Sequence, residues 1–270
     1  MQMFSRRFVQ VGILIFMAIA IVLPAQAATF SNASLKGSYS FLTNLWTANV
    51  STNQFGMLGV MAFDGAGNVT GSYTSVAWDT VQGGAFSGTY AVGSNGIGTI
   101  SLTTGLTAQF AITINSTVAK MADGVQLLQT NDSNNEIISG TAVLQSNPAA
   151  TYNLASLKGN FSLLWNTWTA DASLAQDAGT GLISFDGKGN ITGSGTSMYQ
   201  GVAYPTTLTG TYTMNSNGTG IMTLKTNGGG TSEWGFALNA VKADKAKGLQ
   251  ILAPGSSSGN SVATWTALGQ

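Results

Sequence analysis

An internal repeat constrains the fold of this chain more than any other feature of its sequence. The motif ASLKG at residues 33–37 returns at 155–159, and the motif FDGxGN at 63–68 also returns 122 residues later. A two-residue insertion in the second copy then moves the offset to 124. Motifs that keep one register over so long a stretch indicate two copies of one folding unit. We therefore predict two domains, residues 28–146 and 152–270, each large enough to bury its own core.

Within each copy the apolar residues alternate with a period of two, which is typical of strands with one buried face. Phe86, Tyr90 and Val92 share one predicted face, and Leu208 and Tyr212 hold matching positions in the second copy. Segments rich in Gly and Asn separate the apolar runs and tolerate tight turns. The first copy is thereby divided into eight predicted strands, near residues 37–46, 54–63, 68–78, 85–92, 97–104, 107–115, 124–130 and 137–145.

These strands predict an all-β fold in which each copy is an eight-stranded antiparallel up-and-down barrel. Closing the sheet pairs its first and last strands and removes the edges that an open sheet exposes to aggregation. A β-sandwich of two packed sheets is the alternative arrangement. The chain contains no cysteine, so its stability must come from packing and strand pairing.

The repeated motifs carry a resemblance to known proteins. The succession LKGxY/FS, FDGxGNxTG and GTY followed by a Gly-rich turn resembles a group of uncharacterised secreted bacterial proteins. In size and strand count each copy also resembles the avidin and lipocalin class of barrels, the calycins. The first resemblance implies no activity. The second implies only the barrel fold, because the ligand-specific residues of those families are not recognisable in this sequence.

The first 27 residues have the features of a bacterial signal peptide. Arg6 and Arg7 form a basic start, residues 8–23 are largely apolar, and residues 24–27 end in the small-x-small pattern of a cleavage site. A signal anchor is the alternative, because the apolar stretch nearly spans a bilayer. No cysteine follows, which excludes a lipidated N terminus. We expect a secreted or periplasmic protein of a Gram-negative bacterium, with no membrane contact after cleavage.

Composition excludes several classes of function. The chain has no histidine and no cysteine, which removes the common general base, the common zinc ligands and the thiol nucleophile. Charged residues make up 7% of the chain, and its ten basic residues form no patch that would bind nucleic acid. We therefore predict no cofactor, no bound metal and no nucleic-acid partner.

Aromatic residues at equivalent positions of the two copies are the candidate ligand-binding residues. Core filling is the alternative explanation for them, because a small barrel needs bulky inward side chains. The two tryptophans end their strands on the opposite parity from the first aromatic residue, so a place at a barrel mouth would suit stacking on a sugar or an apolar ligand. The candidates are Trp46, Trp168, Tyr39, Phe161, Tyr90 and Tyr212.

Asp64 and Asp186 are acidic residues shared by both copies, and each opens a DGxGN turn. A hairpin turn is the favoured interpretation, and a calcium-binding loop is the alternative, although the further carboxylates of such a loop do not follow.

Because the sequence shows no catalytic constellation, we predict a non-enzymatic binding or surface module for a small molecule or glycan. A carboxylate-dependent glycan hydrolase and an outer-membrane barrel of sixteen strands are the alternatives.

Cleavage after Ala27 is a prediction that one measurement checks. The exported protein is expected to begin at Ala28, because residues 24–27 read as the end of a signal. N-terminal sequencing of protein recovered from the periplasm or the medium decides this. An intact N terminus that still carries Arg6 and Arg7 would indicate the signal anchor instead.

Overall fold

The structure is a computed structural model in which each copy forms a closed β-barrel. It describes residues 29–47, 55–77, 80–115, 117–118, 121–131, 136–146, 151–169, 177–199, 201–227, 230–239, 245–254 and 261–270. The predicted signal segment and residues 147–150 between the copies lie outside these ranges. The domain bounds therefore stay a prediction.

The first barrel contains eight long strands and one additional short pair. Its strands are β1 (Lys36–Thr47), β2 (Phe55–Asp64), β3 (Asn68–Ala77), β4 (Thr80–Val92), β5 (Ile97–Thr104), β6 (Ala108–Ile114), β7 (Thr117–Val118), β8 (Met121–Ala122), β9 (Gly124–Gln129) and β10 (Glu136–Ser146). Long strands that follow one another pair antiparallel, and β1 also pairs with β10, which closes the sheet. The short strands β7 and β8 pair with each other in a separate small sheet.

The second barrel repeats this arrangement. Its strands are β11 (Lys158–Thr169), β12 (Asp177–Asp186), β13 (Asn190–Tyr199), β14 (Val202–Met214), β15 (Thr219–Thr226), β16 (Thr231–Asn239), β17 (Gly248–Pro254) and β18 (Ser261–Gly269). Strands β11 to β15 begin and end 122 residues after β1 to β5, and β11 pairs with β18 to close the sheet.

The predicted all-β class with two eight-stranded up-and-down barrels is confirmed. The alternative sandwich is wrong, because β1 pairs with β10 and β11 pairs with β18. The same two closures contradict a single barrel of sixteen strands. The predicted strand bounds agree closely except in β4, which begins at Thr80 because residues 80–84 pair with the end of β3.

Each barrel has two different ends. At the proximal end a single-turn 3-10 helix, Asn32–Ser34 or Leu154–Ser156, precedes the first strand. Three aromatic rings pack edge to face there, with centroid distances of 5.4 Å for Tyr39 and Phe63 and 5.0 Å for Phe63 and Tyr90. The counterparts in the second barrel make the same contacts at 5.6 and 5.3 Å: Phe161, Phe185 and Tyr212. The distal end is where β1 and β11 finish.

The two barrels pack against each other through outward-facing residues. Strands β1 and β2 of the first barrel lie against β16 and β17 of the second. A buried apolar cluster, separate from both barrel interiors, joins them: Leu42, Leu58 and Val76 from the first barrel with Ala237 and Leu252 from the second. Strands β16 and β17 are therefore buried on both faces: one face lies inside the second barrel, and the other lies in the contact with the first barrel.

Polar side chains also join the two barrels. The Nε2 atom of Gln145 donates to the carbonyl oxygen of Leu238 at 2.9 Å and to that of Asn217 at 3.4 Å. The Nε2 atom of Gln250 donates to Thr141 Oγ1 at 3.4 Å. Both glutamines are almost completely buried, so these hydrogen bonds are made where little water competes.

Candidate ligand-binding site

A buried tyrosine closes the proximal end of each barrel. The hydroxyl of Tyr90 donates to the carbonyl oxygens of Leu35 at 2.8 Å and Asn32 at 3.0 Å, which fixes the 3-10 helix over the barrel. The hydroxyl of Tyr212 makes the same contacts with Leu157 and Leu154. Burial raises the pKa of both hydroxyls. The structure therefore places these two candidates in the packed core.

Tyr39 and Phe161 occupy one equivalent position deep inside the barrels, and both are fully buried. The hydroxyl of Tyr39 donates to the carbonyl oxygen of Ala122 at 2.8 Å. Burial, assisted by the negative charge of Asp123, raises the pKa of Tyr39. Four of the six aromatic candidates thus have the geometry of core filling, and their part in ligand binding stays a prediction.

Trp46 and Trp168 are the second-to-last residues of β1 and β11, at the distal ends of the barrels. Their backbones pair with Ile137 and Val262, and no register shift separates them from Tyr39 and Phe161 along their strands. The two tryptophans therefore keep the predicted opposite parity. Their side chains lie outside the part of the structure that is described.

Asp64 and Asp186 cap the tight turns that join β2 to β3 and β12 to β13. Asp64 Oδ1 accepts hydrogen bonds from the backbone N–H groups of Ala66, Gly67 and Asn68 at 2.7 to 2.9 Å, and Oδ2 accepts from Asn68 Nδ2 at 2.6 Å. Asp186 is held in the same way by Lys188 and Asn190. This is the hairpin turn that the sequence predicted, and the carboxylate of each aspartate caps it.

These hydrogen bonds change the acidity of both carboxylates. Donation from Asn68, first through its backbone N–H and then through its side chain, lowers the pKa of Asp64 to about 2. The side chain and then the backbone N–H of Asn190 lower the pKa of Asp186 to about 2. Such carboxylates stay ionised at neutral pH and are poor proton donors for hydrolysis.

The distal interiors of the two barrels are filled by different side chains. Three inward positions change together: Thr43, Met57 and Tyr73 in the first barrel become Trp165, Gly179 and Gly195 in the second. A Cβ atom added at Gly179 would lie 2.1 Å from Cζ2 of Trp165. The large indole therefore depends on the glycine opposite it. Comparison of the two copies at these positions was the signal that could have identified Trp165 from sequence.

Hydroxyl groups accompany the aromatic rings inside the distal half of the second barrel. Trp234 Nε1 donates to Ser232 Oγ at 2.6 Å, and the hydroxyls of Ser197 and Thr206 are 3.0 Å apart. Ser232, Ser197 and Thr206 are only partly buried. The sequence prediction missed this group. In strands with period-two alternation, inward Trp, Ser and Thr residues look the same as the residues of an ordinary barrel core.

Among the described residues, no group of three or more Asp and Glu side chains could hold a metal ion. In the same part of the chain, no helix has the length and apolar character needed to cross a membrane.

Comparison with known proteins finds distant matches among solved structures. A protein of unknown function from the DUF3598 family of Nostoc punctiforme is 11% identical, with a TM-score of 0.29 over 87% of this chain and 96% of that chain. Kievitone hydratase from Nectria haematococca is 9% identical, with a TM-score of 0.27 over 94% of each chain. Transferrin-binding protein B from serogroup B Neisseria meningitidis is 7% identical, with a TM-score of 0.27 over 88% of this chain and 77% of that chain.

No family model matches the chain, and no curated protein matches it. TM-scores as low as those of the three structures support no inference about function. The two eight-stranded barrels fit the calycin-like architecture that the sequence resemblance implied.

The tyrosines at the proximal ends are expected to stabilise the fold. Tyr90→Phe or Tyr212→Phe removes a hydroxyl that two backbone carbonyl oxygens share, and each change should lower the free energy of unfolding by about 1 to 3 kcal/mol. Urea denaturation measures this. The control is Tyr199→Phe at an exposed position, with an expected change below about 0.5 kcal/mol. Equal effects of all three variants would contradict the proposed role.

The two capped turns predict a loss of stability in acid. The folded-state pKa of Asp64 and Asp186 is about 2, below the ordinary value of 3.8. Their contribution is therefore complete above the ordinary pKa and is lost as the pH falls through about 2. Urea midpoints measured between neutral pH and about pH 2 should fall less for the Asp64→Asn/Asp186→Asn variant than for the original chain. Parallel curves for the two proteins would refute this.

Proposed function

We propose that this chain is an exported, non-enzymatic binding module that holds a small apolar or sugar ligand at the distal ends of its barrels. The closed proximal end supports this most directly. In each barrel an edge-to-face aromatic stack fills that end, and Tyr90 or Tyr212 ties the 3-10 helix across it. A ligand therefore has to approach from the distal end, where Trp46 and Trp168 lie one residue before the ends of β1 and β11.

The second barrel has the chemistry that a sugar requires in its distal half. Trp165 and Trp234 are buried aromatic side chains there, and partly buried Ser197, Thr206 and Ser232 carry hydroxyl groups. Sugars combine an apolar C–H face with several hydroxyls, so aromatic stacking together with hydroxyl contacts suits them. The indoles are already packed, which supports a shallow site above them rather than a deep cavity.

The absence of an enzymatic role is part of the proposal. Histidine and cysteine do not occur in the sequence, and Asp64 and Asp186, the acidic pair common to both copies, are engaged in turns. A retaining or inverting glycosidase needs two carboxyl groups that face each other across a cleft. The signal-like residues 1–27 support export to the periplasm or beyond, where glycans and small solutes are available.

Ligand binding is tested with the protein purified after export from cells that express the full-length chain. Tryptophan fluorescence and calorimetry are followed during titration with cello-, chito- and malto-oligosaccharides and with the apolar dye 1-anilinonaphthalene-8-sulfonate. At least one probe should bind, and Trp46→Ala or Trp168→Ala should weaken its binding about tenfold or more. Ile97→Ala at an exposed proximal position is the matched control and should leave binding unchanged.

Circular dichroism establishes that each variant is folded before its binding is compared. The proposal fails if no probe binds, or if both tryptophan variants bind as tightly as the original chain. Release of reducing sugar from the oligosaccharides would instead favour the glycan hydrolase.

A further inference from the structure

The contact between the two barrels joins two different surfaces. The docking face is the outward surface of β1, β2, β3 and β10 in the first barrel, represented by Leu42, Leu58, Val76, Thr141 and Gln145. The receiving face is the outward surface of β16 and β17 with the turn before β15 in the second barrel, represented by Asn217, Gly235, Ala237, Gln250 and Leu252. Apolar side chains from both faces form the buried cluster between the barrels. Gln145, Gln250 and Asn217 each donate a hydrogen bond across the contact.

The second barrel carries a copy of the docking face, and no buried apolar cluster of described residues joins this copy to the first barrel. Strand register aligns its residues with those of the first barrel, so Leu164 corresponds to Leu42 and Thr266 to Thr141. Gln270 corresponds to Gln145 by the same register. Where Leu42 is 8% exposed, Leu164 is 54% exposed, and Met198, the counterpart of Val76, is 44% exposed.

The first barrel likewise carries a copy of the receiving face. The pairing Ala111↔Leu128 in the first barrel matches Gly235↔Leu252 in the second. Leu128 is 47% exposed, whereas Leu252 is fully buried. Gln126 corresponds to Gln250 and is also exposed. Among the described residues, one docking face and one receiving face therefore contact each other, and the other two faces are exposed.

The residues that differ between the copies are compatible with the same contact. A Cβ atom added at Gly235 would lie 3.5 Å from Thr74 Cγ2, an ordinary contact distance, so Ala111 fits in that position. Leu58 of the docking face becomes the smaller Thr180, and Ala237 of the receiving face becomes the larger Thr113. Strand β2 packs on β16 within the chain, so the loss of volume on one face is offset by the gain on the other.

We propose that these exposed faces bind a second copy of this chain. The docking face of the second barrel in one molecule contacts the receiving face of the first barrel in the next molecule, and it reproduces the contact between the barrels of one chain. Gln270, whose Nε2 atom donates to Ser162 Oγ in the single chain, takes the place of Gln145. Exposed apolar side chains at both faces supply the favourable burial.

An interface of this kind is heterologous, because two different surfaces meet in it. Each molecule that binds still presents one free face of each type. Association therefore continues head to tail and ends in a ring or an open filament rather than in a two-fold dimer. This inference does not depend on the proposed ligand, since both faces lie on the sides of the barrels.

The assembly is tested by sedimentation velocity of the purified full chain from about 1 µM to about 200 µM, a range that detects micromolar association. The average mass should rise with concentration beyond that of two chains. Leu164→Asp and Leu128→Asp should each weaken association about thirtyfold or more, because either change places a charge in an apolar contact. Met121→Asp, at another exposed apolar position of the first barrel, is the matched control and should associate as before.

A mixture of the two variants separates this interface from other modes of association. Leu164→Asp keeps an intact receiving face and Leu128→Asp keeps an intact docking face, so together they should form a pair of one molecule each and grow no further. Such a pair also shows that both variants are folded. A protein that stays monomeric throughout the range, an equal effect of Met121→Asp, or a mixture that forms no pair overturns the proposal.

Discussion

Pairing between the first and last strands of each copy is the interaction on which the rest of this structure depends. The contacts of β1 with β10 and of β11 with β18 continue the backbone ladder around each barrel, so that among the described strands no long edge is left unpaired. The chain has no disulfide to restrain it and few charges to pair. Closure also creates an interior with two ends, and the proposed ligand site depends on the difference between those ends.

The strand pattern was largely predictable because one face of nearly every strand lies in a barrel interior. The apolar residues of a period-two pattern are then the buried ones. In β6 these are Phe110, Ile112 and Ile114, and all three are buried. The start of β4 was mispredicted because Gly83 and Gly84 look like a turn. They lie instead in β4, where Gly84 pairs with Tyr73 and Gly83 with Thr74, and a Cβ atom at Gly84 would lie 3.2 Å from the Tyr73 ring. Glycine makes room for an aromatic neighbour there.

The functional features were harder to predict, because they depend on contacts between residues far apart in sequence. Alternation placed Tyr90 on the inward face of β4, but the carbonyl oxygens that its hydroxyl reaches belong to residues 55 and 58 positions earlier. Leu42 and Leu58 break the expected polar pattern of an outward face. They are buried because the second barrel packs against them, and no local sequence pattern shows where that barrel lies.

The buried amide of Gln145 fixes the register in which the two barrels pack against each other. Outward side chains repeat every second residue of a strand, so two apolar sheet surfaces can shift by about 7 Å and meet an equivalent surface again. The bonds from Gln145 to the carbonyl oxygens of Leu238 and Asn217 exist at only one of these positions. After any shift the amide would be buried without its acceptors, at a cost that apolar contacts do not impose. The hydrogen bonds of Gln145 therefore select a single register between two sheet surfaces whose apolar contacts alone would allow several.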